Sequence, residues 1–462
     1  MKQKMILSWV FLLLAGWIQA QQKFELTVKE AVDLAYKNVV ELKNAQIDYQ
    51  IQVAKNREIV GQAFPQLAGS VSTNYYFKVP TILFPDATAT AVYSILKEEG
   101  VNGNSGPITK VPNPTLREVS FLQPYNLVAG ATLTQLLFQP DVFVGLQARQ
   151  TALDYSQALV EQTKEKIKDS AYKRYYAILI TEKQLHFIDE SLKRLQKLYY
   201  DDSIMYKNGF AEKLDLDKVQ VQINNLSTSR NTIANAVEIA YAALKFAIGI
   251  AQNDVVTLKD DLSTASLKDE ILKDTFQYED RVEIKTLTQL QKLQELDMKR
   301  HKLGFIPTIA ATANYNYNGI GPKFFTSDQT FWFQGAYVGL NINIPIFDGS
   351  QRKQKVEQSR LNVQKLQNSI GNVKQAIDFE QKATSNSLKT ALNNLDVQER
   401  NMQLAERVYN ATKLKFEQGL GSSFEVLQAD ADFQQAQSTY FNALYNAIVA
   451  KISYQSSLGQ LQ

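Results

Sequence analysis

The 462 residues contain no cysteine. That excludes a disulfide framework, thiol catalysis and cysteine-ligated metal sites, and it removes the acceptor for a bacterial lipid anchor. There are only two histidines, His186 and His301. The coarse element reading places them on separate helices, with no ligand-like spacing to each other or to carboxylates. The pairs "DLD" (Asp215–Asp217) and "DAD" (Asp430–Asp432) lack the glycine and the distal glutamate of a calcium loop. No GxSxG, P-loop or GxGxxG pattern stands in a suitable context. The expectation is a protein that is not an enzyme, with no cofactor and no metal. Beyond residue 20 there is also no apolar run of about 18 residues, so no helix there is apolar enough to span a bilayer.

The first twenty residues differ from the rest. Lys2 and Lys4 precede the apolar stretch "MILSWVFLLLAGWI", and Ile18-Gln19-Ala20 follows. A basic start, a short apolar core and a small residue describe a secretory signal peptide, with cleavage expected after Ala20. Losing Lys2 and Lys4 brings the formal charge of +3 down to +1, so the balance of charges gives no support to a nucleic-acid partner. Hydrophobic residues make up 45% and aromatics 10% of the chain. If an exported chain with this composition enters a membrane, it must do so as β-strands.

The chain is written twice. "KNGFAEKLDLDKVQ" (Lys207–Gln220) and "EQGLGSSFEVLQAD" (Glu417–Asp430) each leave a helix, turn on a glycine and resume with an acid six positions later. Gly209 and Gly419 lie 210 positions apart, as do Gly249 and Gly459. The same offset relates a seven-residue ladder, Leu146, Leu153, Val160 and Ile167, to Val356, Val363, Ile370 and Ile377. Nearer the start of each half the offset is 242, as for Pro65 with Pro307 and "VELK" (Val40–Lys43) with "VEIK" (Val282–Lys285). An insertion of about 32 residues in the first half accounts for the change. It falls within residues 78–124, rich in Pro, Gly and Asn, which read as a long surface loop.

Each half opens with a helix. In the first, Val28, Ala31, Val32 and Ala35 share a face, Thr27 and Glu30 form a capping box, and the helix is expected to run toward Gly61. Strict alternation follows. Ile309, Ala311, Ala313, Tyr315 and Tyr317 oppose Thr308, Thr312, Asn314 and Asn316, and Trp332, Val338, Leu340 and Ile342 oppose Gly339, Asn341 and Asn343. With "QLAGSVSTNYYF" and "YNLVAGATLTQLLF" this makes four long strands, each apolar on one face. A soluble sandwich would alternate in the same way. Aromatics gathered at the strand ends (Tyr75, Tyr76, Tyr125, Tyr317, Trp332) and strand lengths suited to a tilted span favour a membrane barrel. Four strands cannot close one, so several copies must share it. Very long helices, about Asp141 to Lys207 and about Ser350 to Gln418, carry the seven-residue spacing of coiled coils, and shorter helices return after each turn. The expected organisation is a first repeat over 21–250 with its turn at 207–214, an inter-repeat segment over 251–281, and a second repeat over 282–462. The second repeat holds a hairpin at 307–347 and a turn at 417–424. The fold class is α+β, mostly α, and internally duplicated.

This order of elements, with "GQAFPQLAGS", "IPIFDGSQRKQKVEQSR" and the two glycine turns, resembles the TolC-type outer membrane efflux protein family over essentially all of residues 21–462. The resemblance implies a homotrimer in which four strands per subunit build a shared 12-stranded outer-membrane β-barrel, continued by a long periplasmic α-helical barrel. It implies a Gram-negative outer-membrane location and a duct for small molecules such as drugs, toxic compounds or metal ions. The partners implied are outer-membrane lipid, a periplasmic adaptor and an inner-membrane pump of RND or ABC type. The 251–281 segment would join the belt around the tunnel. Type I protein secretion and, further off, an exported structural coiled coil are the alternatives. Carried over residue by residue, Glu425 and Gln428 fall on the acidic constriction ring, one carboxylate having become an amide. Asp430 lies near enough to add charge, and Asp215 takes the acidic position of the first turn. Gly209, Phe210, Gly419 and Leu420 mark the adaptor-contacting tips. Phe416 and Gly421 stand where relatives place a closing Tyr and Arg, so the closing network must differ or be weaker.

Overall fold

The computed structural model describes residues 23–261, 276–324 and 328–461. The expected leader and residues 262–275 of the inter-repeat segment lie outside the described residues.

The elements run in two matching halves. The first contains β1 (Lys23–Leu26), α1 (Val28–Asn38), α2 (Val40–Ala63), β2 (Gln66–Tyr75), β3 (Ile82–Asp86), α3 (Thr88–Glu98), β4 (Asn102–Gly103), β5 (Gly106–Pro107), β6 (Thr115–Val119), β7 (Tyr125–Phe138), α4 (Pro140–Lys207) and α5 (Lys213–Ile248). After β8 (Val255–Leu258), the second contains α6 (Val282–Leu303), β9 (Thr308–Gly321), β10 (Phe331–Asn343), α7 (Gln351–Glu417) and α8 (Ser423–Ser457). The 68 residues of α4 and the 67 of α7 each reach about 100 Å at 1.5 Å per residue.

One unit gathers residues 1–54, 148–295 and 358–462 and is helical, with the parallel pair β1–β8 added. Its packing follows the seven-residue ladder: Val160, Ile167, Val363 and Ile377 are buried. From Ile377 the next buried positions of α7 are Leu388, Leu395 and Tyr409, so the repeat takes one eleven-residue step before resuming sevens. The capping box at Thr27 forms as expected, with the Thr27 N–H donating to Glu30 Oε2 at 2.8 Å. The single opening helix does not. It breaks at Val39, where the backbone is extended, and there Gly249 at the end of α5 comes up against Asn38 and Val39.

The other unit, residues 55–147 and 296–357, is built on an antiparallel sheet in the order β10-β9-β7-β2. Its register aligns Leu67, Leu133, Ala313 and Val338 in one row across all four strands, and Val71, Ala129 and Tyr317 in another. The opposite face is mostly small or polar but also carries Val128, Phe333 and Tyr337, and on it Asn314 Nδ2 donates to Thr132 Oγ1 at 2.8 Å across β9 and β7. Residues 78–124 are not a bare loop: β3 pairs with β6, β4 with β5, and α3 lies between. The pairing of Ile82–Asp86 with Thr115–Val119 is too distant in sequence to show through the intervening Pro and Gly.

Candidate functional site: the paired helical turns and the strand ends

Both turns are the same physical object. In the first, the Phe210 N–H donates to Met205 O at 2.8 Å and the Gly209 N–H to Tyr206 O at 3.0 Å. In the second, the Leu420 N–H donates to Lys415 O and the Gly419 N–H to Phe416 O, each at 2.9 Å. This is the Schellman closure, which needs a left-handed residue after the helix; Gly209 sits at φ 81° and Gly419 at φ 74°. Each return helix then starts from an extended cap. Ser422 Oγ accepts the Glu425 N–H at 3.3 Å, while Glu212 caps α5 without a side-chain bond. Phe210 and Leu420 project from the turns 80% and 77% exposed.

The acids beyond the turns divide. Glu425 and Gln428 are exposed, and Gln428 Nε2 donates to Asp432 at 3.0 Å. A side chain at Gly421 would meet Glu425 Oε2 at 3.3 Å, so the glycine leaves room for that carboxylate. Asp215 is half-buried and pairs with Lys218 at 3.3 Å. Asp430 corrects the sequence expectation. It is only 1% exposed, and its carboxylate accepts from Arg194 Nε and from Ser191 Oγ, both at 2.8 Å, as well as from Gln434. Its charge is therefore spent inside the subunit and unavailable to a ring. Arg194 also stands 5.2 Å from the Tyr409 ring centroid and 5.3 Å from that of Phe433. Sequence reasoning missed Arg194; an acid among apolar heptad positions on α8 was the available signal. Phe416, in place of a polar closing residue, packs half-buried against the cluster of Leu198, Tyr409 and Val426.

At one end of the sheet the aromatics meet. Tyr75 is paired with Tyr125, their rings 4.7 Å apart, and the Tyr76 N–H donates to Pro124 O at 2.8 Å. Tyr317 stacks on Trp332 at 5.1 Å. Trp332 lies opposite Gly319, where any Cβ would come within 2.5 Å of the indole, so the glycine makes the place for that ring.

No group of three or more potential metal-ligating side chains occurs among the described residues. Residues 297–460 match the model of the outer membrane efflux protein family. Outer membrane protein TolC of Vibrio cholerae is 18% identical over 340 residues, which covers 72% of this chain and 77% of that protein. TolC of Escherichia coli is 19% identical over 353 residues, covering 72% and 69%. Among solved structures, CusC superposes with a TM-score of 0.72 at 15% identity, over 96% of this chain and 95% of that one. VceC of Vibrio cholerae gives 0.68 at 14% identity, over 94% and 97%. The fold is that of the CusC and VceC structures, and residues 297–460 are the part of the chain that matches the outer membrane efflux protein family.

Proposed function

We propose that three copies of this chain form an outer-membrane duct through which small molecules such as drugs, toxic compounds or metal ions leave the periplasm. The observation that carries the reading is the four-stranded sheet. Its outer strands, β2 and β10, each pair on one side only among the described residues, and the apolar face across all four strands is exposed, Val338 at 85%. Unpaired backbone cannot face lipid, so β2 of one copy meets β10 of the next; the resemblance to the TolC-type family implies three copies, whose sheets make twelve strands. The band of Tyr75, Tyr76, Tyr125, Tyr317 and Trp332 suits one membrane interface. The Phe210 and Leu420 tips are apolar knobs for a periplasmic adaptor, which couples the duct to an inner-membrane pump. The long helices build the periplasmic tunnel, and the expected leader supplies export.

The constriction consists of Glu425 and Gln428, with Asp215 contributing a carboxylate partly offset by Lys218. Three copies of an exposed carboxylate in a narrow wet pore concentrate cations and repel anions. Glu425→Ala combined with Gln428→Ala is expected to lower cation-over-anion selectivity up to about tenfold at low salt. Reversal potentials in single-channel recordings read this directly, and unchanged selectivity would sink the ring.

A further inference from the structure

The seam between α4 and α8 near the tips is a heptad core with acids in it. Buried positions on α4 are Ser191, Leu195, Leu198 and Asp202; those facing them in cluster and hydrogen bond from α8 include Ser423, Val426, Asp430 and Phe433. Their steps of three and four are the spacing of coiled-coil seams. One acid, Asp430, has Arg194. The other has nothing comparable. Asp202 is 1% exposed, and neither of its carboxylate oxygens reaches a hydrogen-bond partner.

A core position holding an uncompensated carboxylate is the least favourable arrangement a helical seam can carry. The groups around it do not relieve it. Asp201 of α4 is spoken for by Lys197 at 3.0 Å, and Asp215 of α5 by Lys218 at 3.3 Å. At this end α7 offers Lys413 and Glu417, paired at 3.8 Å, together with the Tyr409 and Phe416 rings. From α8 come the exposed Glu425 and the Ser423 hydroxyl. Burial foremost, then Asp215 and Asp201, raise the Asp202 carboxyl above its ordinary range, and Ser423 opposes them.

We propose that Asp202 is a proton-operated joint between the two repeats at the tip of each subunit. As the neutral acid it stays in the α4–α8 seam beside Ser423 without a buried charge. When the proton leaves to solvent, the carboxylate forces the last turns of the seam apart. The closed seam holds the proton more tightly than the open one. Closure is therefore fullest below the ordinary aspartate range and is lost as pH rises through the raised value. The joint is a property of the single subunit; its consequence, a tip that opens more readily as pH rises, rests on the channel reading above.

The absence of native cysteine gives a clean probe. Ala429→Cys places a thiol at a position 6% exposed in the cluster with Leu198 and Val426, and Phe210→Cys places a reference thiol on the exposed turn. Their rates of alkylation by N-ethylmaleimide would be measured in the full-length purified protein between about pH 5 and about pH 8. The ratio of the 429 rate to the 210 rate is expected to rise with pH, by about tenfold for each unit by which burial lifts the carboxyl. With Asp202→Asn added, the ratio should stay flat, and with Asp202→Leu it should be flat and lower. A flat ratio with Asp202 in place, or the same rise with Asn or Leu at 202, overturns the joint. Conductance that follows pH without any change in this ratio would implicate the Glu425 ring and leave the channel reading standing.

Discussion

Arg194→Ala is expected to destabilise the helical unit by about 3 kcal/mol, the low end of the cost of breaking a buried ion pair. The reason lies with the partner that remains. Asp430 is 1% exposed while the Arg194 side chain is 22% exposed, so truncating the arginine strands a charge that water cannot reach. Ser191 and Gln434 still donate to Asp430, but neither carries charge. The mutation also removes the guanidinium from the faces of Tyr409 and Phe433. Asp430→Asn should cost less, because Arg194 can turn toward solvent. Replacing both residues, Arg194→Met with Asp430→Leu, should return stability to within about 1.5 kcal/mol of the starting protein, since an apolar pair of similar volume often replaces a buried ion pair without loss. Denaturant melts followed by circular dichroism measure all three. Equal stability of Arg194→Ala and the unaltered chain would show that the pair does not hold the two repeats together.

Gly249→Ala should cost about 3 kcal/mol or more, and Gly209→Ala only about 1 kcal/mol, although both glycines occupy left-handed backbone. Gly249 has φ 70° and Gly209 φ 81°, so the conformational penalty is similar. The surroundings differ. A Cβ on Gly249 would stand 2.9 Å from the Asn38 carbonyl carbon and 3.0 Å from the Val39 nitrogen, whereas one on Gly209 meets nothing within 4 Å. The first substitution pushes against the break between α1 and α2 and the core containing Val39, Leu42 and Ile248; the second touches only a solvated turn. Thermal melts of the two variants side by side separate strain from crowding. Equal losses would mean that the close approach at Gly249 contributes nothing.

The contrast shows what a sequence of this kind reveals. Local periodicity carried the strands, the heptads and the four glycine-closed helix ends, because each depends on neighbours within a few positions. Contacts between positions far apart in the chain stayed hidden. Gly249 comes up against the break at Val39 from some 210 residues later, and β1 pairs with β8 across a similar distance. The duplication itself misled at Asp430. The position 210 residues after Arg194 is Leu404, so the repeat pattern offered no hint that a cation from the first half would reach an acid in the second. Asp202 was equally invisible, since an acid near a helix end reads as solvated until its burial is seen. At the candidate site, the two glycine turns with Phe210 and Leu420 and the acids beyond them were legible in the sequence and Gln428 came only from the family resemblance, while the buried polar network beneath them was not.

The central claim is that separate copies join through β2 and β10, and cross-linking tests it most directly. In this cysteine-free chain, Ser70→Cys on β2 would be combined in turn with Tyr337→Cys, Gly339→Cys and Asn341→Cys on β10, all on the polar face of the sheet. Adjacent antiparallel strands bring Cα atoms to about 4.5–5.5 Å, within disulfide reach. Mild oxidation of the detergent-purified protein should give covalent species ending at three copies in at least one pairing, and reduction should return a single copy. Folded protein that stays at one copy in every pairing would contradict the shared barrel.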